Sequence, residues 1–157
     1  MVLKQLWNRC VCVIVDAAAG CIISKKILVI NNANTQKQRE KYKRYYTTVL
    51  RWIQDENRDA TGRNAFSSIQ GKRVAIYGMS ALGLTLRDAL ENVGIDVVYG
   101  IDKKANYKFC GMPVYYPDQD KPDVDIVIVT ILEAYDSIRD ELINNGIKCV
   151  VSLEDIV

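Results

Sequence analysis

Short apolar runs and glycines alternate along residues 72–102. Val74-Ala75-Ile76-Tyr77 stops at Gly78, and a helical stretch follows with Leu82, Leu86, Ala89, Leu90 and Val93 on one face. Gly94 then stands where a left-handed C-terminal cap is expected. A second run from Asp96 to Ile101 ends at Asp102. Strand, glycine turn, helix, strand and acid form the front half of a nucleotide-binding βαβ unit. Further on, Asp125 to Thr130 is almost continuously β-branched, as a parallel strand covered on both faces should be. Tyr135, Ile138 and Leu142 give the next helix its apolar face, with Glu133 and Asp136 near its positive end. Asn144-Asn145-Gly146 ends that helix, Cys149-Val150-Val151 reads as the last strand, and Leu153 to Val157 as a closing turn. Between the two halves, Lys103 to Lys121 has no helical period and holds Pro113 and Pro117. It reads as a loop with a brief edge strand at Val114–Tyr116. The pattern predicts an α/β fold over residues 71–157, with a parallel sheet of order 3-2-1-4-5, helices on both faces and right-handed crossovers.

Residues 34–70 read as a helical extension ahead of this domain. Thr35 and Gln38 have the spacing of a capping box. Tyr42, Tyr45, Tyr46, Val49 and Ile53 recur at helical spacing, with Lys37, Arg39, Lys41, Lys43 and Arg44 on other faces. The stripe is expected to pack on the core or on a partner helix. Asp59 to Gly62 reads as a turn, and Asn64 to Ile69 as one or two further helical turns. Residues 1–33 hold two strongly apolar runs, Cys10 to Val15 and Ile27 to Ile30, interrupted by Asp16 and by Lys25-Lys26. Neither run approaches the ~18–20 residues of a membrane-spanning helix. The segment stays unassigned, with packing on the domain, on a second copy or against a membrane surface as its readings.

Composition narrows the chemistry. A chain of 157 residues, 49% of them hydrophobic, suffices for one cored domain and an appendage. The net charge of +2 gives no reason to expect nucleic acid as a partner. There is no histidine, which removes the commonest general base and every Ser/His or Cys/His nucleophile. The five cysteines are scattered without the spacing of a zinc site and are expected as buried thiols in a reducing cytoplasm. No metal site and no catalytic constellation is assigned.

The turn itself reads Gly78-Met79-Ser80-Ala81-Leu82-Gly83. The first and third glycines of G-x-G-x-x-G are present, and Ser80 replaces the middle one. A serine Cβ crowds the backbone approach to a pyrophosphate, although its hydroxyl could cap the helix and meet a phosphate oxygen. Asp102 is placed to accept the ribose hydroxyls of an adenosine and to repel a 2′-phosphate, which favours NAD over NADP; Lys103 and Lys104 blunt that repulsion. Thr130, ending the fourth strand, is expected to face the same crevice. Tyr99 and Lys103 share the Tyr-x-x-x-Lys spacing of short-chain dehydrogenases, but across a strand end rather than on a helix, so the pair is read as coincidence.

The segments KRVAIYGMSALGLTLRDAL, VVYGIDKKA, GMPVYYPDQ, DVDIVIVTI and VVSLEDIV resemble the small Rossmann-like domain of bacterial cell-surface polysaccharide biosynthesis proteins, which are nucleoside-diphosphate-sugar epimerase-like. The likeness covers Arg73 to Val157, extends more weakly through Tyr45, Tyr46, Leu50 and Trp52, and stops short of residues 1–33. Such domains occur alone, fused to glycosyltransferases, or as the nucleotide-binding part of sugar-nucleotide dehydratases. The resemblance implies a nucleotide or nucleotide-sugar ligand at Gly78, Ser80, Gly83 and Asp102. The middle glycine and the catalytic portion of the epimerases are missing. The expectation is therefore a cytoplasmic nucleotide-binding module, with peripheral membrane attachment as a variant. Its alternatives are a sugar-nucleotide oxidoreductase or epimerase subunit, and a ligand-free assembly domain. In the last case the N-terminal helix would form a homodimer or glycosyltransferase contact.

Overall fold

The computed structural model describes residues 29–54, 65–105 and 111–157. The apolar run Cys10 to Val15, the turn expected at Asp59 to Gly62, and Cys10, Cys12, Cys21 and Cys110 lie outside the described residues. The chain divides into two compact units, Met1–Tyr42 and Lys43–Val157. Helix α1 (29–54) begins in the first unit and ends in the second. Thr35 does not cap it. The helix is already under way there, and the Thr35 hydroxyl donates to the Asn31 carbonyl one turn back at 2.9 Å.

The second unit is built on five parallel strands: β1 (Arg73–Tyr77), β2 (Asp96–Ile101), β3 (Val114–Tyr115), β4 (Ile126–Val129) and β5 (Val150–Ser152). Their order is β3-β2-β1-β4-β5, as the sequence predicts. β1 and β4 sit inside the sheet, and their residues Val74 to Tyr77 and Ile126 to Val129 are buried on both faces. That explains the unbroken apolar runs. Helix α2 (Ala81–Asn92) lies on one face and turns Leu86 and Leu90 into the core beside Val74, Ile76, Ile126 and Ile128. Helix α3 (Tyr135–Asn144) lies on the other, with Ile138 and Leu142 against Ala75, Tyr77, Val127 and Val129. Gly94 and Gly146, at φ +76° and +88°, carry the two helix exits. β2 and β3 are joined without a helix among the described residues.

The last third of α1 belongs to the core on the α2 side. Trp52 is buried and meets Phe66 edge to face at 5.6 Å, and Thr48 is buried one turn earlier. Polar groups clasp the same stretch to the loops after β4 and β5. The Arg44 guanidinium forms a two-pronged pair with the Glu154 carboxylate, Nε to Oε2 at 2.7 Å, and also donates to the Leu132 carbonyl at 2.8 Å. Arg44 holds the Glu154 carboxyl below its ordinary range. The Tyr45 hydroxyl donates to Glu133 at 2.7 Å and accepts the Leu132 amide at 3.2 Å. Burial, and then the Glu133 carboxylate, push that phenol well above the ordinary tyrosine value.

The expected stripe is corrected accordingly. Tyr42, Tyr46 and Ile53 are exposed, Val49 is half-buried, and the core-facing positions are Tyr45, Thr48 and Trp52. The expectation of buried thiols is also corrected at Cys149, which is exposed. Replacing Trp52 with alanine should cost about 3–5 kcal/mol, the range for a buried aromatic. Ile143→Ala, at an exposed position on α3, should stay within about 0.5 kcal/mol. Urea unfolding of the full chain measures both, and equal small losses would place α1 outside the core.

Candidate functional site

β1 hydrogen-bonds to β2 on one side and to β4 on the other. Because α2 and α3 cover opposite faces, the loops leaving Tyr77 and Val129 part from each other above the sheet. That divergence is the topological switch point, where ligands bind in open α/β folds.

The loop after Tyr77 is shaped by steric exclusion. Gly78 has φ +95°, and a Cβ on it would lie 2.6 Å from the Thr130 hydroxyl oxygen and 2.8 Å from Cγ1 of Ile131. A Cβ on Gly83 would lie 2.2 Å from the Gly78 carbonyl oxygen, well inside van der Waals contact. The first turn of α2 is thus pressed directly onto the end of β1, and no side chain fits between them. The Gly78 amide donates to the Ile101 carbonyl at 2.8 Å, tying the turn to β2.

Met79 and Asp102 share a second contact. The Met79 side chain is buried in the core against Gly100, where a Cβ would come within 2.7 Å of its sulfur. Its amide points the other way and donates to Oδ2 of Asp102 at 2.9 Å. The other oxygen, Oδ1, accepts the Lys104 amide at 2.8 Å. Asp102 is therefore fixed at the end of β2 by two backbone donors, one of them in the glycine turn.

The structure brings most of the expected site together and changes the role of several members. Gly78, Gly83 and Asp102 meet as expected. Ser80 occupies the N-cap position and is exposed, but its hydroxyl makes no capping bond, contrary to expectation. Ala81 is exposed at the first helical position. Met79 contributes only its amide. Lys103 is exposed and its ammonium stands 4.0 Å from Glu141 of α3. Thr130 does not present its hydroxyl to the crevice. It is buried, and its single proton is shared between the Gly78 carbonyl at 2.8 Å and the Tyr77 carbonyl at 3.1 Å. Thr130 staples β4 to the turn. Tyr99 is fully buried and Lys103 exposed, so their sequence spacing builds no catalytic pair. Among the described residues no cluster of His, Cys, Asp or Glu could hold a metal ion.

Sequence reasoning passed over two phenols. The hydroxyls of Tyr77 and Tyr99 are buried and have no hydrogen-bond partner among the described residues. Burial pushes each up to about 12, and for Tyr77 the Glu141 and Asp102 carboxylates add to the effect. Both lay inside runs that read as plain apolar strand, which hid them. In the unfolded chain a tyrosine titrates near 10, so between that value and about 12 the native state holds the extra protons. Stability is complete below pH ~10 and falls as pH rises toward the native value. Tyr77→Phe and Tyr99→Phe should each make that alkaline loss shallower, and keep stability at pH 7 within about 1 kcal/mol of the parent. Urea midpoints over an alkaline pH series test it; an unchanged slope in both variants contradicts it.

The glycine contacts make a separate prediction. Gly83→Ala should destabilise by about 3 kcal/mol, because backbone must move to admit the methyl. Gly71→Ala, at a positive φ that helical Gly83 does not have but with open space around its Cβ, should cost only about 1 kcal/mol. Thermal unfolding ranks the two, and equal losses would remove close packing as the cause.

Comparison with protein-family models, with curated proteins and with solved structures returns no match to this chain.

Proposed function

We propose that the Lys43–Val157 unit is a nucleotide-binding module, taking NAD or a nucleotide sugar, in bacterial surface-polysaccharide biosynthesis, and that it works without complete catalytic machinery of its own. One observation carries the reading: the glycine turn, the start of α2 and the fixed Asp102 carboxylate stand together at the switch point of the sheet. The pathway rests on the resemblance over Arg73–Val157.

A carboxylate offers about four lone-pair sites. Met79 and Lys104 use two of those on Asp102, leaving acceptors for a ribose diol. The first amides of α2 lack intrahelical partners and face a phosphate favourably. A 2′-phosphate would meet the Asp102 charge, which favours NAD over NADP. A second reading, a ligand-free assembly domain, draws on a different observation. The Met79 amide and the Gly78 carbonyl already have partners in Asp102 and Thr130, so the turn is stable without a ligand.

Thermal shift with NAD, NADP, AMP and a uridine-diphosphate sugar separates the two readings. A ligand at 100 times its Kd should stabilise by about 2.7 kcal/mol, a Tm rise of roughly 5–10 °C. Ser80→Asp is the matched variant. An aspartate at an exposed N-cap keeps or raises stability, yet its charge repels a phosphate, so the Tm rise should vanish while the protein stays folded. No shift with any of these ligands would overturn the nucleotide-binding reading and leave the assembly domain.

A further inference from the structure

Three buried hydroxyls without a hydrogen-bond partner among the described residues, those of Tyr77, Tyr99 and Ser152, share one layer of the domain. Tyr77 and Tyr99 belong to the core on the α3 side. Ser152 joins them by register: it pairs with Val129, and Val129 with Tyr77, and such partners point to the same face of a parallel sheet. Among the described residues the α2 side carries none. An unpaired buried hydroxyl forfeits the hydrogen bonds that water gave it, and regains them whenever its cover lifts. The cover on that side is also the lighter one. α3 contributes Ile138 and Leu142, whereas α2 places Leu86 and Leu90 in a core that also holds Trp52, Phe66 and Leu153. Beyond its first turn the polar ties of α3 are long. Nδ2 of Asn145 lies 3.4 Å from the Pro117 carbonyl, and Glu141 lies 4.0 Å from the Lys103 ammonium. The turn that leads into α3 is held more closely, because Arg44 donates to the Leu132 carbonyl at 2.8 Å and Tyr45 to Glu133 at 2.7 Å.

We infer that α3 is the movable wall of the switch point: it lifts from the sheet about the pinned Leu132–Ala134 turn while the α2 side stays closed. Openings of this partial kind arise where little apolar area is buried and where polar groups gain water on release. The movement reaches the candidate site because Tyr77 ends β1, and its register partner Ile101 directly precedes Asp102. Lifting α3 therefore uncovers a phenol at the strand ends that carry the Asp102 carboxylate. No ligand enters the inference, so it stands or falls separately from the nucleotide-binding reading.

Native-state hydrogen exchange of the full chain, followed amide by amide by NMR, tests it. The amides of Arg139 to Leu142 are expected to exchange at least ~10-fold faster than those of Leu86 to Leu90. Ile76→Val trims the core on the α2 side only, and should speed α2 exchange about 5-fold while leaving α3 exchange unchanged. Tyr77→Phe and Ser152→Ala each remove an orphan hydroxyl and nearly keep the shape, so each should slow α3 exchange about 5-fold. Equal protection of the two helices, or an Ile76→Val effect that is the same on both, means that α3 opens only with the whole domain and overturns the inference. A failure of both hydroxyl deletions to slow α3 exchange overturns it as well, because the hydroxyls then have partners in the closed state.

Discussion

At Gly83 the helix backbone approaches the Gly78 carbonyl so closely that even a methyl group is excluded, with a Cβ falling 2.2 Å from the oxygen. Much of the upper edge of the sheet follows from that approach. It sets how near α2 rides to β1, and so whether Leu86 and Leu90 reach the sheet. It forces the chain to leave β1 within one residue, which is why Gly78 takes a positive φ. The resulting turn exposes the Gly78 carbonyl toward β4, where the Thr130 hydroxyl meets it, and the Met79 amide toward β2, where Asp102 meets it. One steric constraint thereby ties three neighbouring strands at the end where ligands bind in this kind of sheet.

A second dependence concerns the layers. Among the described elements α2 packs on β1 and β2, which leaves β4 and β5 needing cover on that side. The 43–54 stretch of α1 supplies it, through Trp52 and the part-buried Tyr45 against Leu132 and Leu153. Hydrophobic burial alone would let a helix slide or rotate, since it is non-directional. The Arg44 fork and the Tyr45 hydroxyl fix the register by binding named groups of the Leu132–Ala134 and Leu153–Asp155 turns. The same Leu132–Ala134 turn follows Thr130, so α1 buttresses one wall of the switch point from outside the crevice.

The sheet was readable in the sequence because its signals are local. A β-branched run between polar stretches, as at Asp125 to Thr130, admits few readings, and a glycine at each end of a strand–helix turn has a steric cause that no tertiary context reverses. The edge strand Val114–Tyr115 and the exits at Gly94 and Gly146 belong with these. α1 was harder. Its apolar residues span an arc wide enough to contain two different faces, and periodicity says that a face exists without saying which is covered. Trp52 and Thr48 turned inward and Tyr46 outward because of where Phe66, Leu132 and Leu153 lie, which no window of α1 contains. At the site, residue type and position were legible, but hydrogen-bond partners were not. Ser80 and Thr130 are both short hydroxyl residues at the ends of elements; one lies idle in solvent and the other is consumed by two carbonyls.

The distribution of partners around Asp102 also constrains what the turn can hold. Its Oδ2 occupies the Met79 amide, the donor that an incoming anion would otherwise find in the glycine turn. A phosphate seated there would have to displace a carboxylate or share space with one, and like charges at contact distance are costly in a site of reduced dielectric. Lys103 does not relieve this, since it leans toward Glu141. The favourable arrangement separates the two chemistries in space. Hydroxyl donors belong at Asp102, where acceptor capacity remains. Negative charge belongs farther along, over the opening amides of α2 beyond Ser80, where the helix dipole is uncompensated by any acid in the first turn. With Ser80 in place of a glycine, that anion must also sit higher above the backbone than a pyrophosphate clasped by a full glycine turn. Under the nucleotide-binding proposal, the ribose would meet Asp102 and the phosphate the opening amides of α2.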